Sequence, residues 1–281
     1  MNYRHSFHAG NFADVVKHSL LALLLDALSR KPSPWHYFDT HAGAGVYDLS
    51  GEEARRSGEA RDGILKVWPA RGSLPAAVER LCTVVAELNP GLAPGSPPRL
   101  YPGSPWVAAA LARDTDRLTL AELQPPEART LKAEFQRDQR TAVHQRDGYE
   151  MLAALTPPAE RRGLALLDPP YESPEEFTQL AEAVAACHAR WPGGVYALWY
   201  PIKDETARKR FLRSMERSGL RRILLTELRV SALSDALAGS GLLVVNPPWQ
   251  SDAAMRDCLD GLLPLLAPGA GGSEVGWLVP E

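Results

Sequence analysis

The 281 residues, 45% hydrophobic and 23% charged, suit one large α/β domain or two small ones and exclude a disordered or fibrous chain. A net charge of −3 gives no general affinity for polyanions. The longest apolar run, Leu20 to Leu25, stops at Asp26 and is too short to span a membrane. Cys82, Cys187 and Cys258 form no Cys-x-x-Cys pair, which argues against a disulfide framework and a structural zinc site. His5, His8, Asp14 and Lys17 stand where a signal peptide needs an apolar stretch, so a cytoplasmic protein with reduced thiols is expected.

Residues 1–10 are rich in polar aromatics and histidine and lack periodicity; disorder is the plain expectation for such a terminus. Asn11–Arg30 reads as a helix, because Val15, Val16, Leu20, Leu23, Leu24, Ala27 and Leu28 recur at helical spacing before Pro32. Lys17 and His18 break its apolar pattern. Trp35–Asp39 is a short strand that runs into the small-residue turn Thr40–Gly45. Residues 51–100 change texture: a charged stretch, one helix candidate at Leu74–Leu88, then Asn89-Pro90-Gly91 and Pro94-Gly95-Ser96-Pro97-Pro98. They read as a small, mainly helical inserted subdomain within a core made of 1–50 and 101–281.

From Leu100 regular alternation resumes. Candidate strands are Arg117–Ala121, Ala142–Gln145, Gly163–Leu167, Val195–Tyr200, Arg222–Leu228 and Gly241–Val245. Helical patterns at Pro125–Arg137, Pro174–Arg190 and Thr206–Ser218 separate most of them. Such alternation predicts a parallel, doubly wound sheet with ligands beyond the carboxyl ends of its strands. Between Lys203 and Arg222 lie Lys203, Arg208, Lys209, Arg210, Arg213, Arg217, Arg221 and Arg222, opposed by Asp204, Glu205 and Glu216. A solvated helix face and a local hold on a phosphate backbone both fit this run.

Four strand ends carry chemistry. The turn Thr40-His41-Ala42-Gly43-Ala44-Gly45 lets backbone approach a ligand closely, although it is not Gly-x-Gly-x-x-Gly and a tight structural turn explains it equally well. Glu122 ends the next core strand, where an acid can bind a ribose diol or cap a helix. Asp147, before Gly148, can accept from an adenine amino group or cap the helix that starts there. Most telling is Asp168-Pro169-Pro170-Tyr171 after an apolar strand. The prolines stiffen the turn, so that the Asp168 carboxylate and the Pro169 carbonyl can accept both hydrogens of one amino group. That grip favours a pyramidal nitrogen whose lone pair can attack a methyl sulfonium. Tyr171 offers a face for base stacking, worth about 1–3 kcal/mol. Asn246-Pro247-Pro248-Trp249 has a similar pattern, but two candidate strands later, where a structural turn is expected. His5, His8 and His18 have no matching second pair, so no metal is expected.

Asp168–Tyr171 resembles the Asp-Pro-Pro-Tyr motif of N6-adenine methyltransferases. The stretch Tyr3-Arg4-His5-Ser6-Phe7-His8-Ala9-Gly10-Asn11, with Asp14, Lys17 and His18, closely resembles the N-terminus of the RlmJ family of 23S ribosomal RNA adenine-N6 methyltransferases. Asp39–Gly45, Tyr101-Pro102-Gly103-Ser104-Pro105, Arg162-Gly163 and Ala197-Leu198-Trp199-Tyr200-Pro201 are similar to it too, and the likeness is weakest in 51–100. The resemblance implies a Rossmann-like doubly wound methyltransferase sheet and S-adenosylmethionine as cofactor. Its contacts would be His18, His41, Ser104, Glu122, Asp147, Gly148 and Asp168. A direct imidazole contact from His41 would replace part of the backbone cradle. Asp168, Pro169 and Tyr171 would meet the reacting amine, and Tyr3, His5 and Lys17 the substrate, with 1–10 as the substrate-side segment. Tyr3 would clamp the flipped base opposite Tyr171, Lys17 would hold a flanking phosphate, and His5 would order the segment once RNA arrives. The expected partner is 23S ribosomal RNA, with no membrane and no metal, and the expected state a monomer. A DNA adenine-N6 methyltransferase and a non-catalytic nucleic-acid-binding protein that keeps the fold are the rivals.

Overall fold

The computed structural model of this chain describes residues 4–173, 175–231, 237–269 and 271–281. Helix α1 (Phe12–Ser29) starts where the Asn11 side chain accepts from the Asp14 N–H at 2.9 Å, which satisfies one of the helix's free donors. Strand β1 (His36–Asp39) follows, then the short pair β2 (Val46–Asp48) and β3 (Leu100–Pro102). These two strands are antiparallel, with Asp48 opposite Leu100, so residues 51–100 leave and return at one place. Between them lie α2 (Glu52–Ser57), α3 (Ile64–Val67) and α4 (Ala76–Leu88). Helix α5 (Ser104–Leu111) follows β3. Then come β4 (Arg117–Ala121), α6 (Pro125–Phe135), β5 (Thr141–His144), α7 (Gly148–Leu155), β6 (Gly163–Leu167), α8 (Glu176–Arg190) and β7 (Val195–Ile202). The chain ends with α9 (Glu205–Glu216), β8 (Ile223–Arg229), β9 (Gly239–Val245), α10 (Ser251–Leu266) and β10 (Gly272–Val279).

Eight strands form one sheet in the order β5-β4-β1-β6-β7-β9-β8-β10. The first five in that order are mutually parallel. β9 runs antiparallel to both β7 and β8, and β10 antiparallel to β8, so the all-parallel sheet expected from alternation is a mixed one. The cause lies in chain length. Only residues 230–238 join β8 to β9, fewer than the dozen or so that a parallel crossover requires.

Alternation along the strands supplies two cores. Tyr37, Leu164, Leu166 and Ala197 join Leu20, Leu24 and Leu25 of α1 on one face. Phe38, Ala165, Leu167 and Leu198 meet Met151, Leu180 and Phe211 of α7, α8 and α9 on the other. Ile64, Val67, Val78, Leu81 and Val85 from the 51–100 segment belong to the first core, packed with α1. Because α1 lies between the sheet and these helices, nearly all of it is buried, Lys17 and His18 included. No helix among the described residues is long and apolar enough to cross a membrane.

Candidate active site

The carboxyl ends of β1, β4, β5 and β6 share one edge of the sheet, and a cleft of about 850 Å³ opens above them. The 40–45 turn is fixed from three sides. The Thr40 hydroxyl donates to the Leu166 carbonyl, the Ala42 N–H to the Ala121 carbonyl, and the Gly43 N–H to Glu122 Oε2 at 2.9 Å. Gly43 adopts φ +62, which favours glycine. Glu122 also accepts from the Gln124 N–H at 2.7 Å, and burial raises its pKa above the usual carboxylate range. Gly148 opens α7 directly against this turn: a β-carbon there would lie 1.9 Å from the Thr40 carbonyl oxygen. Asp147 caps the helix by accepting from the Glu150 N–H at 2.9 Å.

Beneath the turn, Asp39 is fully buried, and both the Tyr37 hydroxyl and the Ser104 hydroxyl donate to its Oδ2 at 2.7 Å. Burial pushes this carboxyl up to about 6 against the pull of those two donors. His41, paired with the Thr40 hydroxyl at 2.8 Å, meets the Tyr149 ring edge-on. Burial lowers the His41 pKa to about 4 and that of His18 to about 3, so both are neutral imidazoles near pH 7. His18 pairs with the Tyr101 hydroxyl at 3.0 Å. The buried Tyr149 hydroxyl and one Glu176 carboxylate oxygen, both on residues lining the cleft, have no hydrogen-bond partner among the described residues. Unsatisfied buried polar atoms of this kind suit a polar ligand that fills the space.

Asp168 stands at the end of β6 and meets α1 across the cleft. Lys17 Nζ lies 2.6 Å from Asp168 Oδ2 and 3.0 Å from Asp14 Oδ1, and 5.3 Å from the centre of the Trp199 ring. Asp14 accepts in turn from the Gly10 N–H and pairs with His5 Nε2, both at 3.0 Å. Burial works to raise the Asp14 pKa, but His5 and Lys17 together hold it well below the usual range. Tyr171, at φ +53, donates its hydroxyl to the Trp199 carbonyl and packs its ring 4.6 Å from Phe177.

His5, Lys17, His18, His41, Ser104, Glu122, Asp147, Gly148, Asp168, Pro169 and Tyr171 thus all line one cleft, although they come from distant parts of the sequence. Tyr3 lies outside the described residues. Lys17 departs from its expected place at a flanking phosphate, because it is buried between Asp14 and Asp168. Asn246 lies away from this edge: its amide donates to the carbonyls of Pro192 and Gly194, which precede β7, at 2.6 and 3.0 Å. β9 is next to β7 in space, so strand direction rather than distance along the sheet removes Asn246. Of the basic run, Arg208 is buried, with its Nε 2.6 Å from Glu227 Oε1.

Residues 32–279 match the family described as Ribosomal RNA large subunit methyltransferase D, RlmJ. The chain belongs to the RlmJ family. Relatives aligned over the full length of both chains are the Ribosomal RNA large subunit methyltransferase J of Escherichia coli (strain K12), 43% identical, and that of Haemophilus influenzae (strain ATCC 51907 / DSM 11121 / KW20 / Rd), 39% identical. A crystal structure of a Legionella pneumophila protein is 34% identical and superposes with a TM-score of 0.88, covering 96% of this chain and 98% of that one. A probable spermidine synthase from Corynebacterium glutamicum, 14% identical, shares the fold alone at a TM-score of 0.52, over 98% of this chain and 77% of its own. The strand-end reading passes over Asp14, which lines this RlmJ-family cleft, and Asp39, which is buried beneath it and accepts from Ser104. The sequence signal for Asp14 was a buried-phase acid three residues before Lys17 on the same helix; for Asp39, an acid directly ahead of the glycine turn.

Proposed function

We propose that this chain is an S-adenosylmethionine-dependent methyltransferase that converts one adenine of 23S ribosomal RNA to N6-methyladenine in the cytoplasm. The observation that carries the reading is Asp168-Pro169-Pro170-Tyr171 at the end of central strand β6, in one cleft with Thr40–Gly43 and Glu122. The names of its full-length relatives support the ribosomal RNA substrate. Residues 1–50 and 101–281 are read as the catalytic core and 51–100 as its insertion.

The residues present fit the cofactor: small residues of the turn at 40–43 let it lie close to the backbone, although the Ala42 and Gly43 N–H groups already donate to Ala121 and Glu122, with Glu122 for a ribose diol, Asp147 and Gly148 for an adenine, and His18, His41 and Ser104 along the wall. When bound, S-adenosylmethionine supplies an electrophilic methyl group. The adenine N6 lone pair is delocalised into its ring, so the amine needs help. Asp168 and the Pro169 carbonyl accept its two N–H bonds and turn the lone pair towards the methyl carbon. As the cofactor's methyl group is transferred and the neutral thioether leaves, the N6 proton held by Asp168 would pass by way of that carboxylate to solvent. A carboxylate offers about four lone-pair sites, so Asp168 can keep Lys17 on Oδ2 and accept the amine as well. Lys17 thereby orients the carboxylate, His5 fixes Asp14 behind Lys17, and Tyr3 and Tyr171 flank the base. Extrusion of a base costs a few kcal/mol, least in unpaired RNA.

Asp168→Ala is expected to lower methyl transfer to deproteinised ribosomal RNA by roughly 10²–10⁴. Calorimetric binding of S-adenosylmethionine should survive. Retained activity there, with loss in Asn246→Ala, would transfer the role to the other motif. Preferential methylation of plasmid DNA would overturn the RNA assignment.

A further inference from the structure

Lys203 lines the mouth of the cleft, and α9 starts two residues later at the carboxyl end of β7. Arg210, Arg213 and Arg217 follow at spacings of three and four, which sets them on one face of the helix. All three are exposed, and none has an ion-pair partner among the described residues. The other cations of α9 are engaged. Arg208 is buried against Glu227 and Glu205, and Lys209 lies 3.6 Å from Glu205. Phe211, Leu212 and Met215 fill the inner face. Asp204 caps the helix by accepting from the Thr206 N–H at 2.7 Å, which leaves Glu216 as the exposed acid of α9. From Lys203 at the cleft mouth, three unneutralised guanidinium groups therefore follow along the helix, the first about 10 Å on and the last about 10 Å beyond that, at ~1.5 Å per residue.

We propose that this row holds the phosphodiester backbone of the RNA strand that flanks the target base. The inference rests on the RNA reading above and deepens it. A guanidinium presents a fork of donors that matches phosphate oxygens in pairs. An acidic protein fits less well, because Thr206, Arg210, Arg213, Ser214 and Arg217 include no aromatic or large apolar residue to anchor a protein interface. With a net charge of −3, the molecule has no general attraction for RNA, so a local cationic row would carry the strand.

The test is the triple variant Arg210→Gln, Arg213→Gln, Arg217→Gln in the full chain. Binding is measured with a long single-stranded RNA and with an oligonucleotide short enough for the cleft alone. For the long RNA, the slope of log K against log salt should fall by about 2, at about 0.7 per lost contact, with affinity down on the order of tenfold or more at low salt. Short-oligonucleotide binding, S-adenosylmethionine affinity and melting temperature should stay unchanged, and the triple Lys variant should recover most of the loss. Unchanged slope and affinity on long RNA would overturn the proposal, as would an equal loss on the short oligonucleotide. Polyglutamate binding as tight as long RNA would overturn the choice of nucleic acid. Wild-type protein that binds long RNA through this row yet transfers no methyl group to it would leave the row standing and refute the activity.

Discussion

His18 and His41 are each held neutral by burial, and a neutral buried imidazole has a cost that depends on pH. Their pKa values are lowered to about 3 and about 4 in the fold, against ~6.5 in an unfolded chain. Below that unfolded value the unfolded chain binds the extra protons and the fold does not, so stability is full above it and is lost as pH falls. Asp39, raised to about 6, has the opposite sign and offsets part of the loss as it protonates. His18 alone should contribute on the order of 2 kcal/mol of destabilisation near pH 5. Thermal melts should therefore fall between about pH 7 and about pH 5, and less steeply in His18→Gln. The same slope in that variant would mean that His18 is charged in the fold. None of this is written in local sequence. His18 looked like an interruption of an apolar helix, and its neutrality follows from α4 and α5 packing over α1.

At the scale of elements, the 51–100 segment does more than fill one core, because two of its acids hold the N-terminal segment. Glu59 takes His8 Nδ1 at 2.8 Å and the Asn11 amide at 3.0 Å, while Glu53 takes Arg4 at 3.1 Å and the Ser6 hydroxyl. Burial raises the Glu59 pKa, but His8 and Asn11 outweigh it and bring it below the usual range. Pairs of this type at a partly exposed surface contribute on the order of 1 kcal/mol each, so they order a segment without deciding the fold. Glu53→Ala with Glu59→Ala should raise amide hydrogen exchange over residues 4–8 while exchange in α4 stays as it is. Unaltered exchange at 4–8 would dismiss the latch. The plain expectation of a disordered terminus missed this, since the acids lie some fifty positions away. Long periodic elements were readable: α1 and β6 fall within a residue or so of their expected limits. α10 and β10 were not anticipated, since β10 begins in a glycine-rich stretch and owes its existence to pairing with β8.

For the whole molecule, the five parallel strands gather the chemistry on one edge, and that much followed from strand–helix alternation. That the candidate residues at the ends of β1, β4, β5 and β6 line one cleft was legible because each strand stops abruptly at a polar or small residue. Strand direction past β7 was not, since it is set by a loop too short to cross over. That reversal has a practical side. The turn after β9 carries Trp249, 79% exposed, on the edge away from the cleft. The native thiols of Cys82, Cys187 and Cys258 are all buried. A Trp249→Cys variant would therefore present one reactive sulfur, and a maleimide tether placed there would anchor the enzyme to a bead or chip with its working edge pointing outward. Turnover on the support should match turnover in solution for a short RNA that stays within the cleft, and a large loss with that substrate would mean that the two edges communicate.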